Sequence, residues 1–303
     1  MQLSVVIPTH NPRPDYLRRV LDGLARQTLS PMGWEVIIVD NASDLPVADT
    51  VDLRWHPHSM IVREEKLGLT AARLAGFAAA QGEIIVLADD DNVLAPDYLA
   101  LAVQLAERHP FLGSWSGRVE LVFEPGTAAP PPSWRSYLTE RLCENAVWSN
   151  DPSHNASTPW GAGMCVRRSL AVDYLHSSEA DPSRLKLDLH GRELVYGGDT
   201  DIAYHGCAMG FGKGVFPSLK VNHLIPAARC ERAYLLRVIE GRAYSEVLHH
   251  WVLHKMIPRD EIGTIQKLKC LARLTLCDAD TRAAELARAR GRARAARELG
   301  GKQ

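Results

Sequence analysis

Three short runs of consecutive apolar residues, separated by segments with helical periodicity, constrain this fold more than any other feature. The runs cover residues 3–7, 36–39 and 84–87 and are rich in valine and isoleucine. Between them, segments 14–26 and 70–80 repeat apolar residues every three or four positions, which is typical of helices. A continuous apolar run indicates a strand covered on both faces, and parallel strands need such crossover segments. The pattern therefore predicts an α/β domain with helices on both faces of a sheet.

Polar residues follow each of these runs, at Thr9-His10-Asn11, Asp40-Asn41 and Asp89-Asp90-Asp91. In open α/β sheets, ligands bind beyond the carboxyl ends of the strands. Three adjacent carboxylates would repel one another without a cation or hydroxyl donors, and Mg²⁺ and Mn²⁺ prefer carboxylate and phosphate oxygens. The sequence thus predicts a site for a divalent cation and a diphosphate-bearing substrate. The alternative is an acidic turn that caps the helix following it.

The second half of the chain differs from the first in composition and in its apolar periodicity. From about residue 111 it is rich in tryptophan and proline, including the run at 130–132, which predicts irregular strands and loops added to the same sheet. Helical periodicity returns after Cys230 through His254, and again over residues 260–277.

Charge and cysteine content exclude several classes of protein. Lys and Arg number 35 against 36 Asp and Glu, so electrostatic attraction to nucleic acid has no basis and no nucleic-acid partner is expected. The six cysteines form no C-x-x-C pair, and this predicts reduced thiols rather than a zinc ribbon or a disulfide framework. Without a basic leader or a spanning apolar segment, we expect the mature chain to begin at Met1, in the cytoplasm.

Five blocks, in order, resemble the family 2 glycosyltransferases of the GT-A fold: VVIPTHN, EVIIVDNAS, LGLTAARLAGFAAAQGEIIVLADDDN, WGAGMCVRR and GGDTDIAYHGCAMGFG. A sixth block, VNHLIPAAR followed by YLLRVIEGRAYS, is similar to the tail of many bacterial members. The resemblance covers about residues 3–245. It implies a GT-A mixed α/β sheet flanked by helices in residues 1–228, with a nucleotide-binding half (1–110) and an acceptor-side half (111–228). A helical C-terminal extension follows over residues 229–303.

The resemblance implies inverting transfer of a sugar from a nucleotide-diphosphate donor to an acceptor hydroxyl, in glycan, polysaccharide or glycoconjugate biosynthesis. Uridine or thymidine diphosphate sugars are the favoured donors and guanosine diphosphate sugars the alternative; the acceptor is a glycan, a lipid-linked sugar or a small molecule. Asp91 matches the metal ligand, and His223 aligns with a histidine that completes some metal sites, which favours Mn²⁺ over Mg²⁺. The alternative for His223 is a hydrogen-bonded structural role. Positions matching donor-nucleotide contacts are Pro8, Thr9, Asn11, Asp40, Arg73, Asp89 and Asp90.

The acceptor side is predicted from two blocks. Asp199 resembles the general base that takes the proton of the acceptor hydroxyl, and Asp201 is the nearby alternative. Gly198 stands where the family usually has glutamate, and Asp199 could instead cap the helix that begins beside it. Trp160 and Gly161 resemble a loop in which an aromatic face stacks on a sugar and glycine permits close approach.

Two rival functions and one tail hypothesis remain open. A nucleotidyltransferase on a similar sheet would need a glycine-rich, basic loop after the first strand, and a catalytically silent nucleotide-sugar-binding partner is favoured only by Gly198. The tail, residues 281–303, has seven Lys and Arg against two Glu. It is expected to form a helix that docks on an anionic membrane surface. The alternative is a frayed, solvated terminus or a contact with the acidic remainder of the protein.

Overall fold

The computed structural model describes residues 1–187, 194–258 and 277–300. Its centre is one mixed sheet with nine strands in the described residues. The strands are β1 (Leu3–Thr9), β2 (Trp34–Asn41), β3 (Ser59–Glu64), β4 (Ile84–Leu87), β5 (Asn92–Leu94), β6 (Leu112–Phe123), β7 (Val147–Ser149), β8 (Met164–Arg167) and β9 (Gly212–Ile225). The α-helices are α1 (Pro14–Ala25), α2 (Leu69–Ala79), α3 (Tyr98–Arg108), α4 (Pro132–Arg135), α5 (Arg168–Ala180), α6 (Gly198–Ala208), α7 (Ala227–Cys230), α8 (Arg232–His254) and α9 (Ala279–Gly300).

The strand order is β3-β2-β1-β4-β8-β6-β9-β5, with β7 also paired to β9. The first four are parallel, as the crossover pattern predicts, and β8 then joins β4 in the antiparallel direction. Every residue of β1 is buried, because α1 and α3 cover one face of the sheet and α2, α5 and α6 cover the other. The predicted mixed α/β sheet flanked by helices is confirmed.

This topology gathers the polar strand ends at one edge. β1 and β2 run in register with Thr9 opposite Asp40, and Asp89 follows two residues after the end of β4. The chain then turns back as β5, which pairs with β9 and sets Asn92 opposite His223. Residues more than 130 positions apart in sequence therefore meet where the parallel strands end.

The two long C-terminal helices, α8 and α9, pack against each other. Small residues on α9 form the contact, and a Cβ at Gly291 would lie 2.1 Å from the carbonyl oxygen of Glu240. Arg290 and Arg292 pair with Glu240 and Glu246 of α8 at 3.0 and 3.1 Å. The tail helix thus contacts two glutamates of α8, so it packs on its own protein rather than forming a frayed, solvated terminus. The helix predicted over residues 260–277 falls, except for Cys277, outside the described residues.

Two further observations concern the predicted cellular setting. Within the described ranges, no helix has both the length and the hydropathy needed to cross a bilayer. The five described cysteines, at positions 143, 165, 207, 230 and 277, are free thiols, and Cys165 is fully buried in the sheet.

Candidate active site

The three consecutive aspartates after β4 are held by different partners. The Thr9 hydroxyl donates to Asp90, and the Arg73 guanidinium lies 3.8 Å from the carboxylate of Asp89. Burial, and then the negative charge of Asp91, raise the pKa of Asp90 to about 7. Burial also raises the pKa of Asp89, an effect that the charge of Arg73 opposes. The triad therefore places three carboxyl groups where burial and mutual repulsion oppose full ionisation, and a bound cation would favour their ionised forms.

Of the three aspartates, Asp91 has the most positive and hydrogen-bond-donating groups around its carboxylate. Its Oδ2 lies 2.9 Å from Nη1 of Arg229 and 3.3 Å from Nε2 of His223, and its Oδ1 accepts a 2.5 Å hydrogen bond from Asn92. Burial disfavours the ionised form, but His223 and Arg229 outweigh it and hold the pKa of Asp91 well below its usual range. Asp91 is thus a permanent anion at neutral pH.

The ring of His223 is oriented by β9 and by a backbone carbonyl. Its Nδ1 lies 2.9 Å from the Leu138 carbonyl oxygen, which can only accept, so Nδ1 carries the proton. In the neutral ring, Nε2 then presents a lone pair to Asp91 Oδ2, and two acceptors facing each other at 3.3 Å need a cation or a proton between them. A carboxylate and an imidazole held in this way fit a divalent cation.

A protein-only metal cage is absent from the described part of the chain, where no three His, Cys, Asp or Glu side chains are grouped for a metal. Mg²⁺ and Mn²⁺ sites in nucleotide-dependent enzymes commonly use one or two protein ligands and complete their coordination with substrate phosphates and water. The pair formed by Asp91 and His223 matches that pattern.

Asp40 organises the neighbouring loop. Its carboxylate is 2% exposed and accepts from the backbone amides of Ser43 and Val47 and from Arg63, whose Nη1 lies 2.8 Å away. Burial opposes ionisation, but these donors lower the pKa of Asp40. The structure therefore uses this carboxylate to fix the β2 loop, on the same edge of the sheet as the triad.

The other predicted nucleotide positions lie beside it. Pro8 is buried within β1, opposite Val39. Asn11 is exposed, has a left-handed backbone with φ 50°, and exchanges hydrogen bonds of 3.0 and 2.9 Å with Asp44. Hydrogen bonds thus tie the loops after β1 and β2 together on the same edge of the sheet as the triad.

Asp199, on the first turn of α6, lies next to the loop that contains Trp160 and Gly161. Its Oδ2 accepts from the Gly161 amide at 2.7 Å, and its Oδ1 accepts from the Thr200 amide at 2.8 Å. A Cβ on Gly161 would lie 2.8 Å from Nη2 of Arg73, so glycine lets Arg73 approach. Gly161 therefore lies against both Asp199 and Arg73, and Arg73 in turn lies beside Asp89 of the triad.

Trp160 is held beside this carboxylate. Its amide donates to the Ser116 hydroxyl at 3.2 Å, and the Arg141 guanidinium covers its ring at 4.4 Å from the centroid. Direct contacts and chain neighbours thus join nine predicted residues into one group at this edge of the sheet, which we call the cleft: Thr9, Arg73, Asp89, Asp90, Asp91, Trp160, Gly161, Asp199 and His223.

Asp201 is not part of this group, although only one residue separates it from Asp199. Its side chain has no exposed surface, and its Oδ2 accepts from the Tyr174 hydroxyl at 2.8 Å and from Arg184 at 2.5 Å. His249 of α8 lies 3.5 Å from Oδ1. These contacts make Asp201 a structural anion between α5, α6 and α8, with no face available to an acceptor.

Three arginines that sequence reasoning missed also contribute to the cleft: Arg229 beside Asp91, and Arg141 and Arg242 near Asp199. Arg229 lies within the sixth block, VNHLIPAAR, so its proximity to His223 was available as a signal. Arg141 occurs in a segment with no motif. Arg242 lies within YLLRVIEGRAYS, the second part of the sixth block, but only its tertiary contacts single it out.

Comparison with known proteins identifies the family. The family model described as "Glycosyl transferase family 2" matches residues 4–169, which is more than half of the chain and includes β2, β3, β4 and the acidic triad. The chain belongs to glycosyl transferase family 2. This glycosyltransferase is 34% identical over 130 residues to an uncharacterized glycosyltransferase, YwdF, of Bacillus subtilis, covering 43% of this chain and 47% of that protein.

It is also similar to a validoxylamine A glucosyltransferase of Streptomyces hygroscopicus subsp. limoneus, at 30% identity over 181 residues, or 57% of this chain and 37% of that protein. The glycosyltransferase thus spans less than half the length of these relatives. Among solved structures, GalNAc-T7 with UDP, GalNAc and Mn²⁺ aligns with a TM-score of 0.55 at 16% identity, over 94% of this chain and 56% of that one. Staphylococcus aureus TarS 1-349 with UDP-GlcNAc gives 0.51 at 13% identity, over 99% and 92%. Both structural matches support the GT-A fold alone.

Proposed function

We propose that this glycosyltransferase transfers a sugar, with inversion, from a uridine or thymidine diphosphate donor to an acceptor hydroxyl, with a guanosine diphosphate sugar as the alternative donor. The observation that carries the proposal is the arrangement of two carboxylates in one cleft. Asp91 faces His223 at 3.3 Å, while Asp199 is fixed by the Gly161 amide at 2.7 Å. One carboxylate serves the leaving group and the other serves the acceptor.

In the proposed donor site, the nucleotide lies between the loops after β1 and β2 and the acidic triad. Thr9 and Asp90 form a hydroxyl–carboxylate pair suited to a ribose, and the neighbouring loop is fixed by Asp40. Arg73 is buried beside Asp89 and supplies a fixed positive charge for a base carbonyl or a phosphate oxygen. Two structural neighbours were solved with UDP-GlcNAc and with UDP, GalNAc and Mn²⁺, and this supports a uridine nucleotide in the proposed donor.

In the proposed chemical step, the acceptor oxygen attacks the anomeric carbon as its proton passes to Asp199. The bond between that carbon and the diphosphate oxygen breaks, and the diphosphate leaves with the electron pair. Attack from the face opposite the leaving group inverts the anomeric configuration. Two backbone amides hold the Asp199 carboxylate, and each of its oxygens keeps a second lone pair for the proton.

A divalent cation, Mn²⁺ by preference because of the imidazole and Mg²⁺ as the alternative, would be held by Asp91 and His223. When bound, it stabilises the negative charge of the departing diphosphate. Arg229 contacts the same oxygen of Asp91 and keeps that carboxylate in place on the protein side.

The geometry disfavours both rival functions. The loop after β1 contains Thr9, His10, Asn11 and Pro12 rather than a glycine-rich basic loop, so a triphosphate lacks the cradle that nucleotidyl transfer requires. A silent binding partner would have no need for a carboxylate held as Asp199 is, beside the sugar-side tryptophan.

A donor screen tests the proposal. The purified chain would be melted with UDP-, dTDP- and GDP-sugars, each with Mn²⁺, with Mg²⁺ and with a chelator, and donor turnover would be followed by release of the nucleoside diphosphate. Metal-dependent stabilisation by one nucleotide class, with slow release of that diphosphate, supports the proposal. Stabilisation by a triphosphate but by no diphosphate sugar would contradict it.

A further inference from the structure

The acceptor side of the cleft contains a cation whose partner is missing from the described residues. Arg242, on α8, lies with its guanidinium carbon 5.5 Å from the ring centroids of both Tyr137 and Tyr196. Its buried Nε has no hydrogen-bond partner, and no described carboxylate forms an ion pair with it. Aromatic rings attract a cation but leave its N–H donors available.

The two carboxylates whose charges act on Arg242 already have other partners. The charges of Asp199 and Glu246 both act on Arg242, but Glu246 pairs with Arg292 of α9 at 3.1 Å, and Asp199 accepts from two backbone amides. Burial lowers the pKa of Arg242, an effect that Tyr196 and Asp199 partly offset. A desolvated guanidinium without an anion is costly for a fold to maintain.

A second arginine adds to this positive charge. Arg141 donates to the carbonyl oxygens of Thr158 and Ala156 at 2.7 and 2.9 Å and covers Trp160, so backbone and aromatic groups hold it without a carboxylate. Burial lowers its pKa as well, and Asp199 again opposes the effect. The charge of Asp199 thus acts on two partly buried arginines, and the excess of positive charge grows when Asp199 takes a proton.

We propose that Arg242 binds an anionic substituent, a carboxylate or a phosphate, on the acceptor. The inference rests on the proposed function, because it takes Asp199 to mark the acceptor side. A planar guanidinium matches either oxyanion with paired hydrogen bonds, which lysine cannot reproduce. The Tyr137 and Tyr196 rings fix the position of the Arg242 guanidinium. The positive charge of Arg141 adds electrostatic attraction for the anion.

Matched probes test this proposal and separate the two oxyanions. Binding would be measured by calorimetry in saturating UDP and Mn²⁺, comparing methyl glucuronide with methyl glucoside, and glucose 6-phosphate with glucose. We expect the charged member of at least one pair to bind about tenfold more tightly than its neutral partner. Which pair shows the difference identifies the carboxylate or the phosphate.

Variants then assign the effect to Arg242. Arg242→Gln should abolish the preference for the charged probe and Arg242→Lys should keep part of it, whereas Arg297→Gln, which removes an exposed arginine of α9, should leave it unchanged. The affinity for UDP alone should stay within about twofold in all three variants, because the effect is local to the acceptor side.

Equal binding of charged and neutral probes to the wild type, or no binding of any probe, would overturn the proposal. So would an Arg242→Gln variant that binds UDP weakly but keeps its preference for anionic probes, since Arg242 would then serve the donor. Failure of the wild type to bind any nucleotide would instead count against the proposed function, and the charged and neutral probes could still be compared without UDP.

Discussion

Replacing Asp201 by asparagine tests whether this carboxylate holds the fold or performs chemistry. It has no exposed surface, it bonds to Tyr174 and Arg184, and it lies 3.5 Å from His249. Removing one partner of a buried ion pair costs about 3–5 kcal/mol, because the remaining charge is left uncompensated. At roughly 2–4 °C per kcal/mol for a chain of this size, Tm should fall by about 6–20 °C.

A neighbouring exposed pair provides the matched control. Asp173 of α5 and His205 of α6 lie 2.6 Å apart, but the aspartate side chain is 51% exposed, so Asp173→Asn should cost less than about 1 kcal/mol. Thermal melts followed by circular dichroism at pH 7 would compare the two variants with the wild type. An Asp201→Asn protein that melts with the wild type yet loses turnover would refute the structural role and make Asp201 the base.

Three further predictions concern Asp201, Gly291 and Asp40. Burial opposes ionisation of Asp201, but His249 and Arg184 lower its pKa in the folded state. The ionised carboxylate therefore stabilises the folded protein fully above the unfolded pKa of about 3.9, and this contribution is lost as pH falls below that value. Tm measured from pH 6 to pH 3 should fall less steeply in Asp201→Asn than in the wild type. Gly291→Val should lower Tm, because its side chain meets the Glu240 carbonyl at 2.1 Å, and a melt like that of the wild type would contradict the helix packing. Asp40→Ala should weaken UDP binding equally with and without Mn²⁺, because it frees the β2 loop; a loss of the metal-dependent part alone, measured by calorimetry, would contradict this.

The sheet was predictable because its signals are local. The first three apolar runs coincide with β1, β2 and β4, and the polar residues after them meet at one edge, as parallel strands require. Helix geometry alone separates Asp199 from Asp201, since side chains two positions apart on a helix point in nearly opposite directions. Both lie in one block, however, and the block does not show which of them faces the cleft.

The features that escaped prediction depend on contacts between distant segments. Arg229 reaches Asp91 across 138 positions of sequence, and the partners that fix Asp40 come from the loop and strand that follow it. Gly291 weakens the tail helix by local propensity, but its packing against α8 leaves no space for a side chain. Arg242 lies within the sixth block, but the block does not show that its guanidinium lies 5.5 Å from the rings of Tyr137 and Tyr196 with no described carboxylate paired to it.

The most direct test of the proposed function separates binding from turnover at its two carboxylates. UDP-sugar affinity by calorimetry in Mn²⁺, and release of the nucleoside diphosphate, would be measured for the wild type, Asp91→Asn and Asp199→Asn. We expect Asp91→Asn to lose the metal-dependent part of donor binding. Asp199→Asn should keep donor affinity and lose about 10² or more in turnover, the usual contribution of a general base.

One result would contradict the roles proposed for Asp91 and Asp199. If Asp91→Asn bound the donor in Mn²⁺ as tightly as the wild type, and Asp199→Asn turned it over at the wild-type rate, neither carboxylate would have its assigned role. The cleft between β4 and α6 would then not be the site of sugar transfer.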